Sequence, residues 1–306
     1  MNKRVFLTGA AGYIGGSLAR HLDGKGYQIR GLVRKEAQLE SLEHMGAQGV
    51  LGTLEDTRVL EENADWADII INTADYEHMT SVETFLRHLA GSEKTYMHVS
   101  GSSIAGIIGE VADPHVFTED SINPRPGKTH LHAIHKMCLN AAEDNIKTIV
   151  IVPSLIYGPT ILHGTGFFSA WANWSKDVGF IPYLGQGENI WSNVHIDDLM
   201  DLFVLAIERA PAGSVYFAEN GELSMTAMAN LLQKELALPN RPRSLPRDQF
   251  VAKWGDTTTE TVFGGNSRIN SQRARMDLSW TPKSDMVKHA ELFLYRSDGG
   301  PKFTLI

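Results

Sequence analysis

Residues 8–15 read Thr8-Gly9-Ala10-Ala11-Gly12-Tyr13-Ile14-Gly15, directly behind the apolar run Val5-Phe6-Leu7. A short apolar run, three spaced glycines and then an amphipathic stretch predict a strand, a tight turn and a helix. A helix that opens there presents unpaired N–H groups and the positive end of its dipole, which suits a pyrophosphate. Gly9 permits the turn, Gly12 lets backbone approach phosphate closely, and Gly15 lets the helix lie against the strand. A glycine triplet alone is a weak signal. The strand–turn–helix setting makes a dinucleotide the expected ligand, against the plainer reading of a βα turn that binds nothing.

The pattern continues along the chain. Strands are expected at 4–7, 28–33, 48–51, 68–72, 95–99 and 148–152, with helices at 13–22, 36–45, 57–63, 82–89 and 129–144. Short runs rich in Val and Ile alternating with amphipathic helices predict an α/β fold, a Rossmann doubly wound parallel sheet. Ligands of such sheets bind beyond the carboxyl ends of the strands. After Pro159 the alternation becomes irregular: a loop rich in Gly and Trp at 164–174, a helix at 199–209, a strand at 214–217, a helix near 225–236, and an extended connector rich in Pro and Arg at 240–247. Residues 1–158 with about 190–218 are therefore expected to form the dinucleotide-binding domain, and 159–189 with 219–306 a smaller, C-terminal, substrate-facing lobe.

Composition narrows the functions. The 306 residues are 42% hydrophobic and 21% charged, enough for a large core. The net charge of -8 is interspersed, so no basic patch awaits a nucleic acid. No run of about 18 apolar residues predicts a membrane helix, and an early first strand leaves no room for a signal peptide. The single cysteine, Cys138, cannot form an intrachain disulfide. A cytoplasmic protein with a small-molecule partner is expected, binding neither nucleic acid nor membrane.

Six segments, in order, carry a resemblance. They are the glycine turn; Gly52-Thr53-Leu54-Glu55-Asp56; Asp68-Ile69-Ile70-Ile71-Asn72-Thr73-Ala74; Val99-Ser100-Gly101-Ser102-Ser103; Pro153-Ser154-Leu155-Ile156-Tyr157-Gly158-Pro159; and Val194-His195-Ile196-Asp197-Asp198. Together they resemble TGxxGxxG, GDLxD, the fourth strand, the serine-rich end of strand five, RPxxxYGP and VHVDD of the extended short-chain dehydrogenase/reductase family, the epimerase/dehydratase-like group. That resemblance implies a nicotinamide dinucleotide held by Gly9, Ala11, Gly12, Tyr13, Ile14 and Gly15 at its pyrophosphate. Thr53 and Leu54 would flank the adenine, Thr73 and Ala74 the ribose, and Pro153 and Ile156 complete the site after strand six. Lys136 would hold the nicotinamide ribose. Relatives often dimerise through two long helices, here 82–89 and 129–144, so a homodimer is expected by analogy.

Two departures from the family pattern are informative. NAD-using members carry an acid at the end of strand two, where this chain has Val33 followed by Arg34 and Lys35. A carboxylate would repel a 2′-phosphate, whereas the Arg34 guanidinium can grip one bidentately, so NADP is the expected cofactor. The plainer reading is a solvated basic pair opening a helix. The second departure is catalytic: the family's Tyr-x-x-x-Lys reads His132-Ala133-Ile134-His135-Lys136 here. Positions 132 and 136 share a helical face. Imidazole can give or take a proton near neutrality, so either His132 replaces the phenol or it only fills space. Ser102 best matches the family's catalytic serine, with Ser103 one place away. His132 and His135 also share a face, but no acid or thiol cluster accompanies them, and no metal is expected.

The leading expectation is an NADP-dependent oxidoreductase moving hydride at a carbonyl or alcohol carbon of a small organic molecule, with Ser102, His132 and Lys136 as its catalytic set. The alternatives are a sugar-nucleotide epimerase or dehydratase, for which 241–247 offers the basic residues, and a non-catalytic NADP-binding redox sensor. Trp171, Trp174 and Trp191 either wall a substrate pocket or fill core. His195 to Asp198 is expected to cap a helix, and the role of Asn266-Ser267-Arg268 stays open.

Overall fold

The computed structural model describes residues 3–122, 124, 127–159 and 166–288. The first half alternates strictly. β1 (Arg4–Thr8), α1 (Tyr13–Asp23), β2 (Gln28–Val33), α2 (Leu39–Glu43), β3 (Ala47–Leu51), α3 (Thr57–Trp66), β4 (Ile69–Asn72), α4 (Met79–Leu89) and β5 (Thr95–Val99) follow one another. Next come β6 (Ile107–Ile108), α5 (Thr129–Asn140), β7 (Lys147–Pro153), β8 (Leu155–Tyr157), α6 (Phe167–Val178), β9 (Pro182–Leu184) and β10 (Ile190–His195). The last are α7 (Ile196–Arg209), β11 (Ser214–Ala218), β12 (Glu222–Ser224), α8 (Met225–Glu235), β13 (Arg243–Leu245), α9 (Arg247–Thr258), β14 (Gly265–Asn266) and α10 (Gln272–Leu278).

Seven strands make one parallel sheet in the order β11-β7-β5-β4-β1-β2-β3. From β1 the chain winds outward through β2 and β3, then returns to place β4 on the other side of β1. The order reverses there, leaving a crevice at the carboxyl ends of β1 and β4. Both faces are covered, which is why the strands read as continuous apolar runs. On one face α1, α7 and α10 bury Leu18, Leu22, Leu199, Phe203 and Leu278; on the other α3, α4 and α5 bury Leu60, Val82, Phe85, Leu131 and Ile134.

A third core, built on α6, α8 and α9, joins Phe168, Trp171, Trp174, Met228 and Phe250. The loop expected at 164–174 is, over its described part, mostly helix α6, with Gly166 before it. Glycine and tryptophan content suggested irregularity, but Phe168, Trp171, Ala172 and Ser175 form a buried i, i+3, i+4, i+7 stripe. Trp171, Trp174 and Trp191 are core, not pocket wall: Trp171 donates its indole N–H to Pro182, and Trp191 donates to Val262 and Gly265. The 240–247 segment is extended as expected, and within it β13 pairs in parallel with β9.

The start of α7 anchors the 280–284 segment. His195 caps it, its Nδ1 accepting from Asp197 N, and Asp197 and Asp198 occupy the first turn. Asp198 is buried, and its carboxylate accepts backbone N–H bonds from Lys283 and Ser284, both at 2.9 Å. Trp280 donates its indole N–H to the Asp198 carbonyl. Charge-assisted bonds of this kind are each worth about 1.5–3 kcal/mol. Asp198→Ala should therefore lower stability by roughly 2–4 kcal/mol, read as a lower urea midpoint at unchanged slope; a midpoint equal to wild type would refute the anchor.

Candidate functional site

The β1–α1 turn is set by contacts that exclude a Cβ. Gly9 has φ +66°, a left-handed conformation. A Cβ on Gly15 would stand 2.2 Å from the Gly9 carbonyl oxygen and 2.8 Å from Thr73 Oγ1. Gly15 thus brings α1 onto the ends of β1 and β4. Gly12 differs: its φ of -90° suits any residue, and a Cβ there would meet only the Gly9 oxygen, at 3.1 Å. No side chain caps α1, so its first-turn amides are left for a ligand.

A groove runs past this turn. One end has a volume of about 700 Å³ and is lined by Gly9, Ala11, Gly12, Arg34, Thr53 and Leu54, among others. The other, about 320 Å³, is lined by Tyr13, Ile14, Gly15, Tyr76, Pro153 and Ile156, among others. Gly12, Thr73 and Ala74 belong to both, so the two ends form one continuous channel across the switch point. That shape, with an open helix N-terminus at its middle, fits a dinucleotide whose pyrophosphate would lie at the glycine turn. When bound, such a group supplies or accepts hydride.

The ends differ electrostatically. Arg34, just beyond the buried Val33, is exposed and makes no hydrogen bond or ion pair among the described residues. Glu55, Asp75 and His78 share that end. Glu55 sits below the usual carboxylate range, chiefly through its hydrogen bond with Thr53 and also through the nearby His78. At the other end no described lining residue carries a formal charge.

The structure does not bring the whole expected catalytic set to this channel. Ser102, His132 and Lys136 are not among its described lining residues. Ser102 is buried in the turn after β5, where its carbonyl accepts from Ser267 Oγ at 2.9 Å. His132 is half-buried on α5, its Nδ1 is buried without a partner, and burial together with Lys136 lowers its pKa. Lys136 is exposed one turn further along. Among the described residues no three His, Cys, Asp or Glu side chains are placed to hold a metal ion.

Ser100, Gly101 and Leu155, which stand inside the matched motifs without a role of their own, and Tyr76 and Phe167, which stand outside them, also line the uncharged end. Ser100 was legible in part: by the period of two it shares a strand face with Tyr96 and His98, the face that α5 covers. Asn266-Ser267-Arg268 also acquires a role. Asn266 binds Gly109, Val111, Asp113 and Ile190, Ser267 binds the carbonyls of Ser102 and Ala105, and Arg268 pairs with Glu222. The segment pins the loop after β5 to the lobe.

A parallel sheet with a dinucleotide groove at its switch point defines a nucleotide-dependent enzyme of the Rossmann class. The family model described as NAD dependent epimerase/dehydratase family matches residues 5–217, and the chain belongs to that family. It is accordingly an oxidoreductase-type enzyme using a nicotinamide dinucleotide. An uncharacterised protein of Schizosaccharomyces pombe is 30% identical over 77% of this chain and 81% of its own length. A 4-hydroxy-2-methyl-3-oxo-4-farnesyl-3,4-dihydroquinoline-1-oxide ketoreductase of Stigmatella aurantiaca is 27% identical over 71% of this chain and 68% of its own. Among solved structures, the UDP-glucose 4-epimerase of Thermotoga maritima superposes with a TM-score of 0.77 at 17% identity, covering 95% of this chain and 97% of that one; at this identity the likeness is one of fold.

The glycines give a paired test. Gly12→Val should leave a folded protein, because its backbone angles admit a side chain and its one close contact, the Gly9 carbonyl oxygen at 3.1 Å, need give only a few tenths of an ångström, yet abolish dinucleotide binding by filling the approach to the pyrophosphate. Gly15→Val should instead lose thermal stability, since its Cβ meets backbone. A folded Gly12→Val protein that binds dinucleotide at wild-type strength would refute the cradle.

Proposed function

We propose that the protein is an NADP-dependent oxidoreductase that transfers hydride to or from a carbonyl or alcohol carbon of a neutral, partly apolar small molecule. The observation that carries this reading is Arg34, a guanidinium with no partner among the described residues, at the adenosine end beside Val33, where a carboxylate would stand in an NAD-selective site. The uncharged opposite end, which the nicotinamide half would enter and where substrate must meet it, supports the substrate class: no described residue lining it is basic, whereas a second nucleotide diphosphate needs basic partners. Of the three arginines expected to serve a sugar nucleotide, two are engaged elsewhere: Arg243 lies 3.8 Å over the Phe180 ring, and Arg247 pairs with Asp256. A relative named as a ketoreductase supports carbonyl chemistry of this class.

Arg34 is exposed, so its removal should not unfold the protein. Arg34→Ala should weaken NADPH binding roughly ten- to a hundredfold, the worth of one charge-assisted phosphate contact of about 1.5–3 kcal/mol, with little effect on NADH. Titration of both cofactors into both proteins decides it. A wild type without preference for NADPH, or an Arg34→Ala variant that keeps it, would overturn the assignment.

Within this reading His132 takes the acid–base role from its place four residues before Lys136, the position of the family's phenol, although it is not among the described residues lining the groove; its Nδ1 has no partner among the described residues. Burial and the Lys136 ammonium disfavour the imidazolium, so His132 is neutral at pH 7 and better placed to accept a proton than to store one. Alcohol oxidation should then lose rate as pH falls into the region where His132 becomes protonated, below the ordinary imidazole range. His132→Ala should remove that acid limb and lower turnover about a hundredfold; wild-type turnover in the variant would make the residue structural.

A further inference from the structure

Five hydroxyl groups line the uncharged end of the groove, on Tyr13, Thr73, Tyr76, Ser100 and Ser154. Three commit their proton to a backbone carbonyl: Tyr13 to Gly158 at 2.8 Å, Thr73 to Thr8 at 2.7 Å and Ser154 to Ala218 at 2.9 Å. A carbonyl only accepts, so these hydroxyls have no proton left for a ligand. The Tyr76 hydroxyl makes no hydrogen bond among the described residues, and its ring centre lies 6.0 Å from Lys128 Nζ. Ser100 is different in kind. Its Oγ lies 2.7 Å from Nε2 of His135, and an imidazole nitrogen can donate as well as accept.

His135 comes from α5 and is buried against the face of β5 that carries His98 and Ser100. The His98 ring packs edge-on to it, with centroids 6.4 Å apart. Ser100 N donates to the Ile151 carbonyl, continuing the β5–β7 ladder and fixing the serine backbone. The serine is thus held by a sheet hydrogen bond on one side and by a packed imidazole on the other. Both supports are rigid, as a site that must aim one small group requires.

Resting on the functional reading above, we propose that Ser100 donates the hydrogen bond that receives the substrate's carbonyl oxygen. His135 is its positioning residue: Nε2–H donates to Ser100 Oγ and leaves the serine proton directed into the groove.

The surroundings of His135 favour this division of labour. Burial first, and then the rings of His98 and His132, bring its pKa to about 3. His98, fully buried, is brought to about 4 for the same leading reason. A neutral His135 cannot serve as a store of protons near pH 7, because forming its imidazolium would put a charge into a dry site beside two other imidazoles. What it can do at no electrostatic cost is present one N–H in a fixed direction.

Two measurements test the pair, and the first needs no turnover. In ¹⁵N-histidine NMR of the wild type, His135 should be neutral with the proton on Nε2 from about pH 5.5 to 8, a span across which an ordinary imidazole titrates. A proton on Nδ1 instead, or titration within that span, would overturn the proposal. The second uses any carbonyl compound that the wild type reduces with NADPH. Ser100→Ala should lower kcat by about a hundredfold or more, as loss of an oxyanion donor does, with KM and NADPH affinity little changed. His135→Leu should match it, and His135→Gln, which keeps an N–H donor, should recover part of the loss. Wild-type kcat in Ser100→Ala, or loss confined to Tyr76→Phe, would place the donor elsewhere. If the wild type reduces no carbonyl at all, the functional reading fails, while the His135 tautomer still decides the Ser100–His135 pair.

Discussion

The contact on which the rest of the site depends is between the first turn of α1 and the end of β4. Gly15 sits so close that any Cβ would overlap the Gly9 carbonyl and Thr73 Oγ1. Thr8 and Asn72 join their side chains across the two strand ends, and Thr73 Oγ1 donates to the Thr8 carbonyl. These bonds lock β1 and β4 in register at the place where the strand order reverses. The helix N-terminus is then aimed across the crevice and cannot swing away without breaking buried hydrogen bonds. An electrostatic device as weak as a helix dipole works only when it is held within a few ångströms of its charge, and this packing supplies that proximity.

The same economy governs the polar groups around the groove. Tyr13, Thr73 and Ser154 bond inward to carbonyls of the protein, which keeps buried hydroxyls satisfied and leaves this end electrically quiet. Charge is concentrated at the opposite end, where Arg34, Glu55, Asp75 and His78 face solvent. A ligand with a charged and an uncharged half therefore meets two matching environments joined at the glycine turn. Behind the uncharged half, the imidazoles of His98 and His135 are buried deeply enough to stay neutral. They give the site polarity without charge.

The third core adds constraint of a different sort. Its aromatic cluster of Phe167, Trp171, Trp174, Phe250 and Phe263 fixes α6, whose first residues reach the groove through Gly166 and Phe167. The strand at Gly265–Asn266 and the two residues after it bind the loop that follows β5. Ser267 ties to the Ser102 and Ala105 carbonyls, and Asn266 to Gly109 and Val111. The turn that carries Ser100 and Ser102 is thereby gripped from both sides, by the sheet and by a segment more than 150 residues later.

Local pattern determined a great deal. The six expected parallel strands lie within a residue of their positions, because buried strands need continuous Val and Ile runs, and these leave a mark that needs no partner to be seen. The glycine turn was equally plain, since its demands are met by neighbours in sequence: a left-handed Gly9 and a side-chain-free Gly15. Arg34 was legible as the residue next to a missing acid. Helix α6 was not, because its stripe of Phe168, Trp171, Ala172 and Ser175 lies among residues that usually mark loops or pockets. Nor were Ser100 and His135, which stand 35 positions apart and gain meaning only from a 2.7 Å contact. Which hydroxyls turn inward, which imidazoles stay neutral and which loop is clamped depend on burial and on partners distant along the chain. Those are properties of the packed molecule, and no window of sequence contains them.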